Sequence, residues 1–473
     1  MERVRTILEG ADAQPLSDPA HAPAEGGVDR GTVAGLVSDL IAMIDEAGLA
    51  GARFCVPLSS SIGSVAALMA VMETTCSGAL IPLSPADEGP EPNPDWPGFC
   101  EAVLIPPDAT QGAGSARIVM MPGGRKQRGE DRIYLRTSGT TGRPKWAAHD
   151  TDKLLENGRA VAERMELSPA DRVMIPVPIH HMFGLGAGLL PSLVAGSRIH
   201  LVPRGNPLVF FQAQRGFDPT AIFMVPSQCR SVMALGRGSG SARAIVVAGD
   251  KLFPDEAVAF EAKHGTLVAL YGATELGAIT ASSPRDPQAL RHATAGPPLR
   301  GMTLDLADEE ADPAAEGAVP FRVRAEYGLL GYVDWDSGDM IAEAPEVWPT
   351  GDLIRLHDGD RIEVLGRSDH AVNRDGLLVH MGQIEGCLTR AEGVDQAVVV
   401  TAGTSRRGAG LVAFCTLTKP GANTDEGILA HARAELQARA VPDRLIVVES
   451  LPMLASGKAD RLALTAQAEA LSS

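Results

Sequence analysis

Apolar residues along the first part of the chain follow two alternating periods. Val33, Leu36, Val37, Leu40, Ile41 and Ile44 recur every three or four positions, which predicts a helix over 33–47. Arg53-Phe-Cys-Val-Pro-Leu58 is a short unbroken run and predicts a buried strand. A helix over 64–75 and a strand over 79–83 follow, and further buried-strand runs occur at 173–177, 198–202, 221–225, 244–248 and 267–271. Strand and helix in alternation predict parallel βαβ units and a layered α/β body. Residues 11–30, rich in Ala, Pro, Asp and Gly, read as a loose lead-in. From Ala293 the texture changes to short β-like runs at 303–306, 319–323 and 361–365, broken by Gly, Asp and Pro, which suggests a small β-rich subdomain. After the hydrophilic stretch Gly366-Arg-Ser-Asp-His370 come a helix over 381–391, strands at 397–401 and 411–417, a helix over 424–440 and a strand at 444–448. The fold class expected is α/β: a large N-terminal layered body over 1–367 carrying the β-rich subdomain, and a smaller, mobile C-terminal α+β domain over 368–473.

Composition narrows the picture. The chain has 473 residues, 45% hydrophobic and 21% charged, so it is globular and long enough for more than one core. A net charge of −17 argues against a general electrostatic grip on nucleic acid or anionic membranes. The six cysteines form no C-x-x-C pair and no zinc-like spacing with histidine, which suits buried reduced thiols. The longest apolar region, 182–194, is interrupted by Gly184, Gly186, Gly188 and Pro191 and is too short to span a bilayer. Met1-Glu-Arg-Val-Arg5 lacks the apolar core of a signal peptide, so a soluble cytoplasmic location is expected.

The segment of densest chemistry is Tyr134-Leu-Arg-Thr-Ser-Gly-Thr-Thr-Gly-Arg-Pro-Lys145. Four hydroxyls and two glycines follow a strand at 133–135 and precede an amphipathic helix placed over 153–167. Glycines let backbone N–H groups turn inward, hydroxyls add donors and a lysine adds charge, a combination that can wrap a polyphosphate. It is not a Walker A loop, because Pro144 precedes Lys145 and Trp146 follows it. A kinase-like phosphotransferase is disfavoured on that ground.

Four further segments complete an ordered set: Pro178-Ile-His-His-Met-Phe-Gly-Leu185, Leu270-Tyr-Gly-Ala-Thr-Glu-Leu-Gly277, Pro349-Thr-Gly-Asp-Leu353 with Gly366-Arg-Ser-Asp369, and Leu451-Pro-Met-Leu-Ala-Ser-Gly-Lys-Ala-Asp-Arg461. In this order they resemble the acyl-adenylate-forming (AMP-binding) superfamily, which includes acyl- and aryl-CoA ligases, stand-alone adenylation domains and firefly-type luciferases. The resemblance covers residues 35–465.

The resemblance implies activation of a carboxylic acid by Mg·ATP, giving acyl-AMP and pyrophosphate, with acyl transfer to a thiol of CoA or of a carrier protein's phosphopantetheine. It assigns Thr137, Ser138, Gly139, Thr140, Thr141 and Gly142 to the β- and γ-phosphates with Lys145 beside them. Thr274 falls near the α-phosphate, Glu275 on Mg²⁺, Tyr271 and Gly272 with Gly249 around the adenine, and Asp352 and Arg367 at the ribose. Lys458 becomes the mobile-domain lysine at the acyl-phosphate, Asp369 the hinge, and His181 a border of the acid pocket. Three departures stand out. Trp146 replaces the usual glycine and would narrow whatever lies beside the loop, or else packs outward on a following helix. Asn373 stands where many members have lysine, and Arg374-Asp375-Gly376 replaces a more glycine-rich turn near the thiol arm. The acid-pocket segment lacks the Phe-Asp pair of amino-acid-activating members, which favours an uncharged acyl or aromatic acid. Gly184, Gly186 and Gly188 would leave room for it, and Phe183, Met224 and Val225 would wall it. The alternatives are transfer to a carrier protein, an amine or an internal nucleophile, and a non-catalytic acyl- or nucleotide-binding protein of the same fold.

Overall fold

The computed structural model describes residues 7–8, 14–18, 27–82, 96–109, 111–124, 126–137, 145–203, 207–236, 240, 242–250, 252, 254–306, 318–368, 371–375, 377–453 and 459–471. They divide into two compact units, Met1–Thr303 with Arg324–Trp348, and Leu304–Val323 with Pro349–Ser473. The β-rich segments 304–323 and 349–367 thus group with the C-terminal residues.

The first unit is built on two sheets. In the first, strands β1 (Leu16–Ser17), β8 (Arg172–Ile175), β9 (Arg198–Leu201), β10 (Ala221–Met224), β11 (Ala242–Val247), β12 (Gly265–Ala273) and β13 (Gly277–Ala281) lie in the order β1-β9-β8-β10-β11-β12-β13. All neighbours are parallel except β12 and β13. Their near-continuous apolar runs have the texture of strands covered on both faces. Met224 pairs with Val247 and Val247 with Ala269, so the carboxyl ends of β10, β11 and β12 reach one edge together. Two residues of the expected lead-in belong here: Leu16 and Ser17 pair with Ile199 and His200. Arg30 holds that lead-in down, donating to the Gln14, Leu193 and Ser197 carbonyls from a buried position. Proline and alanine in the region hid a strand too short to show a period.

The second sheet has eight strands. They are β2 (Arg53–Leu58), β3 (Ser77–Pro82), β4 (Ala102–Ile105), β5 (Arg117–Met120), β6 (Arg132–Thr137), β7 (Lys145–Asp150), β16 (Leu329–Val333) and β17 (Met340–Glu343), in the order β17-β16-β7-β6-β3-β2-β4-β5. Strand β7 was not foreseen. The hydroxyl loop therefore joins two antiparallel strands, β6 and β7, instead of leading straight into a helix. The helix comes afterwards, at Thr151–Arg164, with the Asp150 side chain accepting the Lys153 N–H at its start. Side chains alternate across β7, so Trp146 and Ala148 face one way and Lys145 and Ala147 the other. Trp146 is fully buried among Phe99, Tyr134 and Trp335, with ring centroids 6.1 Å from Phe99 and 5.3 Å from Trp335. It sits on a strand and fills a core, and it projects from the face opposite to Lys145.

Strands β14 (Met302–Leu304), β15 (Val319–Ala325), β18 (Trp348–His357) and β19 (Arg361–Arg367) form a four-stranded sheet in the order β14-β15-β18-β19, the β-rich texture read from the sequence. The C-terminal residues form an α+β layer with β20 (Ala371–Arg374), β21 (Leu377–His380), β22 (Val394–Ser405), β23 (Gly408–Leu417) and β24 (Arg444–Val447). Period-two alternation splits its core. Val399, Leu411 and Ala413 pack with the helices Met381–Thr389 and Asp425–Glu435 through Ile384, Leu388, Ile428 and Ala432. Val398, Val400, Val412 and Phe414 pack with Leu464 and Ala468 of the helix Arg461–Ala470, which the hydrophobic pattern did not reveal. Arg374 is fully buried and donates to Asp443 at 2.7 Å, so the Arg374-Asp375 turn anchors this layer from inside. All six cysteines are free and buried. Among the described residues no helix is long and apolar enough to cross a membrane.

Candidate active site

Predicted site residues in the first unit collect where strands end. The segment Tyr271-Gly-Ala-Thr-Glu-Leu-Gly277 is the hairpin between β12 and β13, with a bulge between Tyr271 and Gly272. Only glycine fits at 272, where a Cβ would lie 2.4 Å from the Gly277 carbonyl oxygen. Gly277 is at φ +74°, and its Cβ would lie 2.3 Å from Asn157 Oδ1. That asparagine clamps the hairpin from the helix Thr151–Arg164. It accepts from the Ala278 N–H and donates to the Ala278 carbonyl, both at 2.9 Å.

Groups on two strands fix the turn itself. His149 on β7 contacts the Thr274 carbonyl through Nε2 at 2.8 Å. A carbonyl only accepts, so Nε2 carries a proton. Burial drives the His149 pKa down to about 4 despite that bond. From β16 the Leu329 N–H donates to the Glu275 carbonyl at 2.7 Å, and the Tyr332 hydroxyl donates to Glu275 Oε1 at 2.8 Å. Burial, reinforced by the neighbouring carboxylate, holds the Tyr332 phenol protonated far above its ordinary range. Lys145 Nζ stands over the same ring, 5.4 Å from its centroid.

The structure thus brings together Lys145, Thr274 and Glu275. Thr137 closes the base of the hydroxyl loop, donating to the Lys145 carbonyl at 3.2 Å. Ser138, Gly139, Thr140, Thr141 and Gly142 lie outside the described residues, as do Lys458 and Asp369. Gly249 follows β11 at φ +91°, a conformation that suits glycine. Glu275 is a hard oxygen donor suited to a magnesium ion shared with phosphate oxygens. Among the described residues no group of three or more His, Cys, Asp or Glu could form a larger metal cage.

The segment assigned to the acid pocket differs from expectation. After His181 the chain forms a π-helical turn over Phe183–Leu189 and then an α-helix over Leu190–Val194. The missing Cβ of Gly184 is filled by the Pro178 carbonyl, 2.1 Å from where it would lie, and that of Gly186 by the Met182 sulfur at 2.8 Å. These two glycines serve close packing and do not open a cavity. Met224 is fully buried and belongs to the core with Ile222 and Phe210, so it is no pocket wall. His181 is exposed, its ring 4.2 Å from that of His180, and the half-buried Phe183 meets Phe223 edge-on at 6.3 Å.

In the second unit Asp352 and Arg367 are cross-strand partners on β18 and β19. Arg367 donates to the Thr350 carbonyl at 2.9 Å and packs over Gly351, whose φ is +76°. The Lys458 segment is bracketed by paired residues. Met453 bridges Ala459, the Asp460 N–H donates to the Pro452 carbonyl at 2.8 Å, and Arg461 joins Glu385 at 2.7 Å.

The sequence reading missed His149, Asn157 and Tyr332. Each lies far along the chain from the turn it holds, His149 on β7, Asn157 on the helix that follows it and Tyr332 on β16, and only the folded arrangement reveals them.

The matches to known proteins agree with this arrangement. The family model for AMP-binding enzymes matches residues 120–320, and that for the AMP-binding enzyme C-terminal domain matches residues 383–458. This chain belongs to the AMP-binding enzyme family. It is 29% identical to a salicylyl-CoA synthase / salicylate adenylyltransferase of a Streptomyces species, over 70% of this chain and 62% of that protein. It is 28% identical to a sulfoacetate–CoA ligase of Cupriavidus necator, over 70% of this chain and 66% of that protein. The chain therefore spans less than two thirds of the length of these relatives. The fold is that of the o-succinylbenzoate CoA synthetase of Bacillus subtilis in complex with its acyl-adenylate (TM-score 0.80, 18% identity, 98% of this chain and 97% of that one). It is equally that of ATP-bound MatB from Rhodopseudomonas palustris (TM-score 0.79, 19% identity, 100% and 99%).

The buried histidine has a measurable consequence. The unfolded ring takes up a proton below its ordinary value of 6.5, while the folded ring resists until about 4. Stability is therefore full above pH 6.5 and falls as pH drops towards 4, by about 3 kcal/mol for this group. His200, also held down to about 4 by burial, adds to the same slope. In urea titrations between pH 7 and 4.5, His149→Asn is expected to flatten the slope by about one proton. An unchanged slope would place the His149 titration elsewhere.

Proposed function

We propose that this protein activates an uncharged acyl or aromatic carboxylic acid with ATP and passes the acyl group to a thiol, that of CoA or of a carrier protein's phosphopantetheine. The observation that carries the reading is the convergence of Lys145, at the end of the hydroxyl loop, with the Thr274-Glu275 turn inside one unit. In the first step a carboxylate oxygen attacks the α-phosphorus, and the bond to the bridging oxygen breaks. Pyrophosphate leaves with the electron pair. In the second step the thiol sulfur attacks the acyl carbon, AMP leaves, and the thiol proton passes to solvent.

The chain's own residues bind and orient. Lys145 and the loop Thr137–Gly142 receive the terminal phosphates, and Thr274 faces the reacting phosphate. Asp352 accepts from the ribose hydroxyls, with Arg367 beside it. Tyr271, Gly272 and Gly249 surround the base, and His181 borders the acid. Glu275 would hold Mg²⁺, whose charge, when bound, offsets that of the phosphates. The remaining roles rest on the motif alone: Lys458 as the lysine at the acyl-phosphate, Asp369 as the hinge, and residues 368–473 as the rotating domain.

Acid-dependent exchange of labelled pyrophosphate into ATP tests the first step. Lys458→Ala is expected to lower it about a hundredfold without loss of folding, the scale set by removal of one charge-stabilising donor. A broad panel of acids that yields no exchange by the wild-type protein would favour a non-catalytic binding protein. Repeating positive acids with CoA and with holo-carrier protein separates the acceptors.

A further inference from the structure

Tyr332 lies outside the five motifs, yet it connects two of them. Its hydroxyl donates to Glu275 Oε1 at 2.8 Å, and its ring receives Lys145 Nζ at 5.4 Å from the centroid. The strand register explains why one side chain reaches both. Tyr332 pairs with Ala147 and Val333 with Trp146, so Tyr332 projects from the same face of the sheet as Lys145, while Trp146 and Val333 enter the core on the other. The Leu329 N–H fixes the Glu275 carbonyl from the same strand. Glu275 thus has backbone and carboxylate both held by β16. Trp348 leans on the Tyr332 ring at 6.1 Å and limits its swing.

We propose that Tyr332 is a positioning residue that sets the metal-binding carboxylate and the phosphate-binding lysine at a fixed separation; the proposal rests on the function argued above. The phenol supplies two unlike contacts. Its proton occupies one lone pair of Oε1 and fixes the carboxylate's orientation, leaving Oε2 for a cation. Its electron-rich face attracts the ammonium without neutralising it as a carboxylate would, so the lysine keeps its charge for phosphate. Glu275 and Lys145 are opposite charges that would otherwise attract each other. The ring bridges them and leaves each ready for its own part of a metal–triphosphate.

Two substitutions separate the contacts. Tyr332→Phe keeps the ring under Lys145 and removes the donor to Glu275. Its expected effect is an increase of about tenfold in the Mg²⁺ concentration giving half-maximal pyrophosphate exchange, the scale of one hydrogen bond to a charged group. The KM for ATP at saturating Mg²⁺ should stay within about twofold of wild type. Tyr332→Leu removes both contacts, so the KM for ATP should rise as well. Binding of Mn²⁺ with ATP, followed by electron paramagnetic resonance, gives the same comparison without any acid or turnover, and circular dichroism melting confirms that each variant is folded.

A folded Tyr332→Phe protein with wild-type metal dependence overturns the proposal, and so does equal behaviour of the two variants. Wild-type protein that binds Mn²⁺·ATP but exchanges no pyrophosphate overturns the proposed function and leaves the metal-binding comparison to decide the role of Tyr332. Wild-type protein that binds no Mn²⁺·ATP overturns both.

Discussion

Glutamine in place of Glu275 is expected to reduce pyrophosphate exchange by roughly a thousandfold, because a magnesium-held triphosphate loses several kcal/mol of charge stabilisation with its protein carboxylate. The substitution preserves shape. An amide oxygen still accepts from the Tyr332 hydroxyl, and the backbone carbonyl still accepts from the Leu329 N–H. Folding should be unaffected, with the melting temperature within a few degrees of wild type. The loss should appear chiefly as a requirement for far more Mg²⁺. The assay is exchange measured over a wide range of Mg²⁺ concentrations. Near-wild-type exchange by Glu275→Gln at ordinary Mg²⁺ would remove Glu275 from the metal site and, with it, the reading of the hairpin as catalytic.

The second large effect falls on stability. Asn157 is 1% exposed and pairs through both amide atoms with the backbone of Ala278. Asn157→Leu keeps the branched shape of the side chain and leaves a buried N–H and a buried carbonyl without their amide partners, at about 1–3 kcal/mol each. Urea titration should show a loss of about 2–5 kcal/mol on that basis. Activity should fall further than stability, because Ala278 follows the Thr274-Glu275 turn by only a few residues and Gly277 packs against Asn157. A variant as stable as wild type, with unchanged KM for ATP, would show that the hairpin holds its shape without the clamp.

Legibility varied with the length scale of the signal. Buried parallel strands such as Ala221–Met224 and Ala242–Val247 were plain, because a strand covered on both faces needs an unbroken apolar run. Leu16–Ser17 was invisible, since two residues in a Pro- and Ala-rich stretch carry no period. The helix Arg461–Ala470 escaped because its buried face is narrow, with Leu464 and Ala468 alone buried along it. The strand β7 was missed because Lys145-Trp-Ala-Ala-His-Asp150 shows no apolar/polar alternation, and its four inner residues are all buried.

By itself the sequence determined the local chemistry: a hydroxyl- and glycine-rich loop closed by Lys145, a Thr-Glu turn, a Thr-Gly-Asp turn and their order. These are properties of adjacent residues, and adjacency is what a chain specifies directly. Tertiary structure alone decided which groups control them. His149 reaches Thr274 and Tyr332 reaches Glu275 across more than fifty positions of chain, by virtue of strand pairing. The same pairing sent Trp146 into the core. Contacts of that kind depend on register and facing, which arise only when distant strands hydrogen-bond, and no pattern within a short window records them.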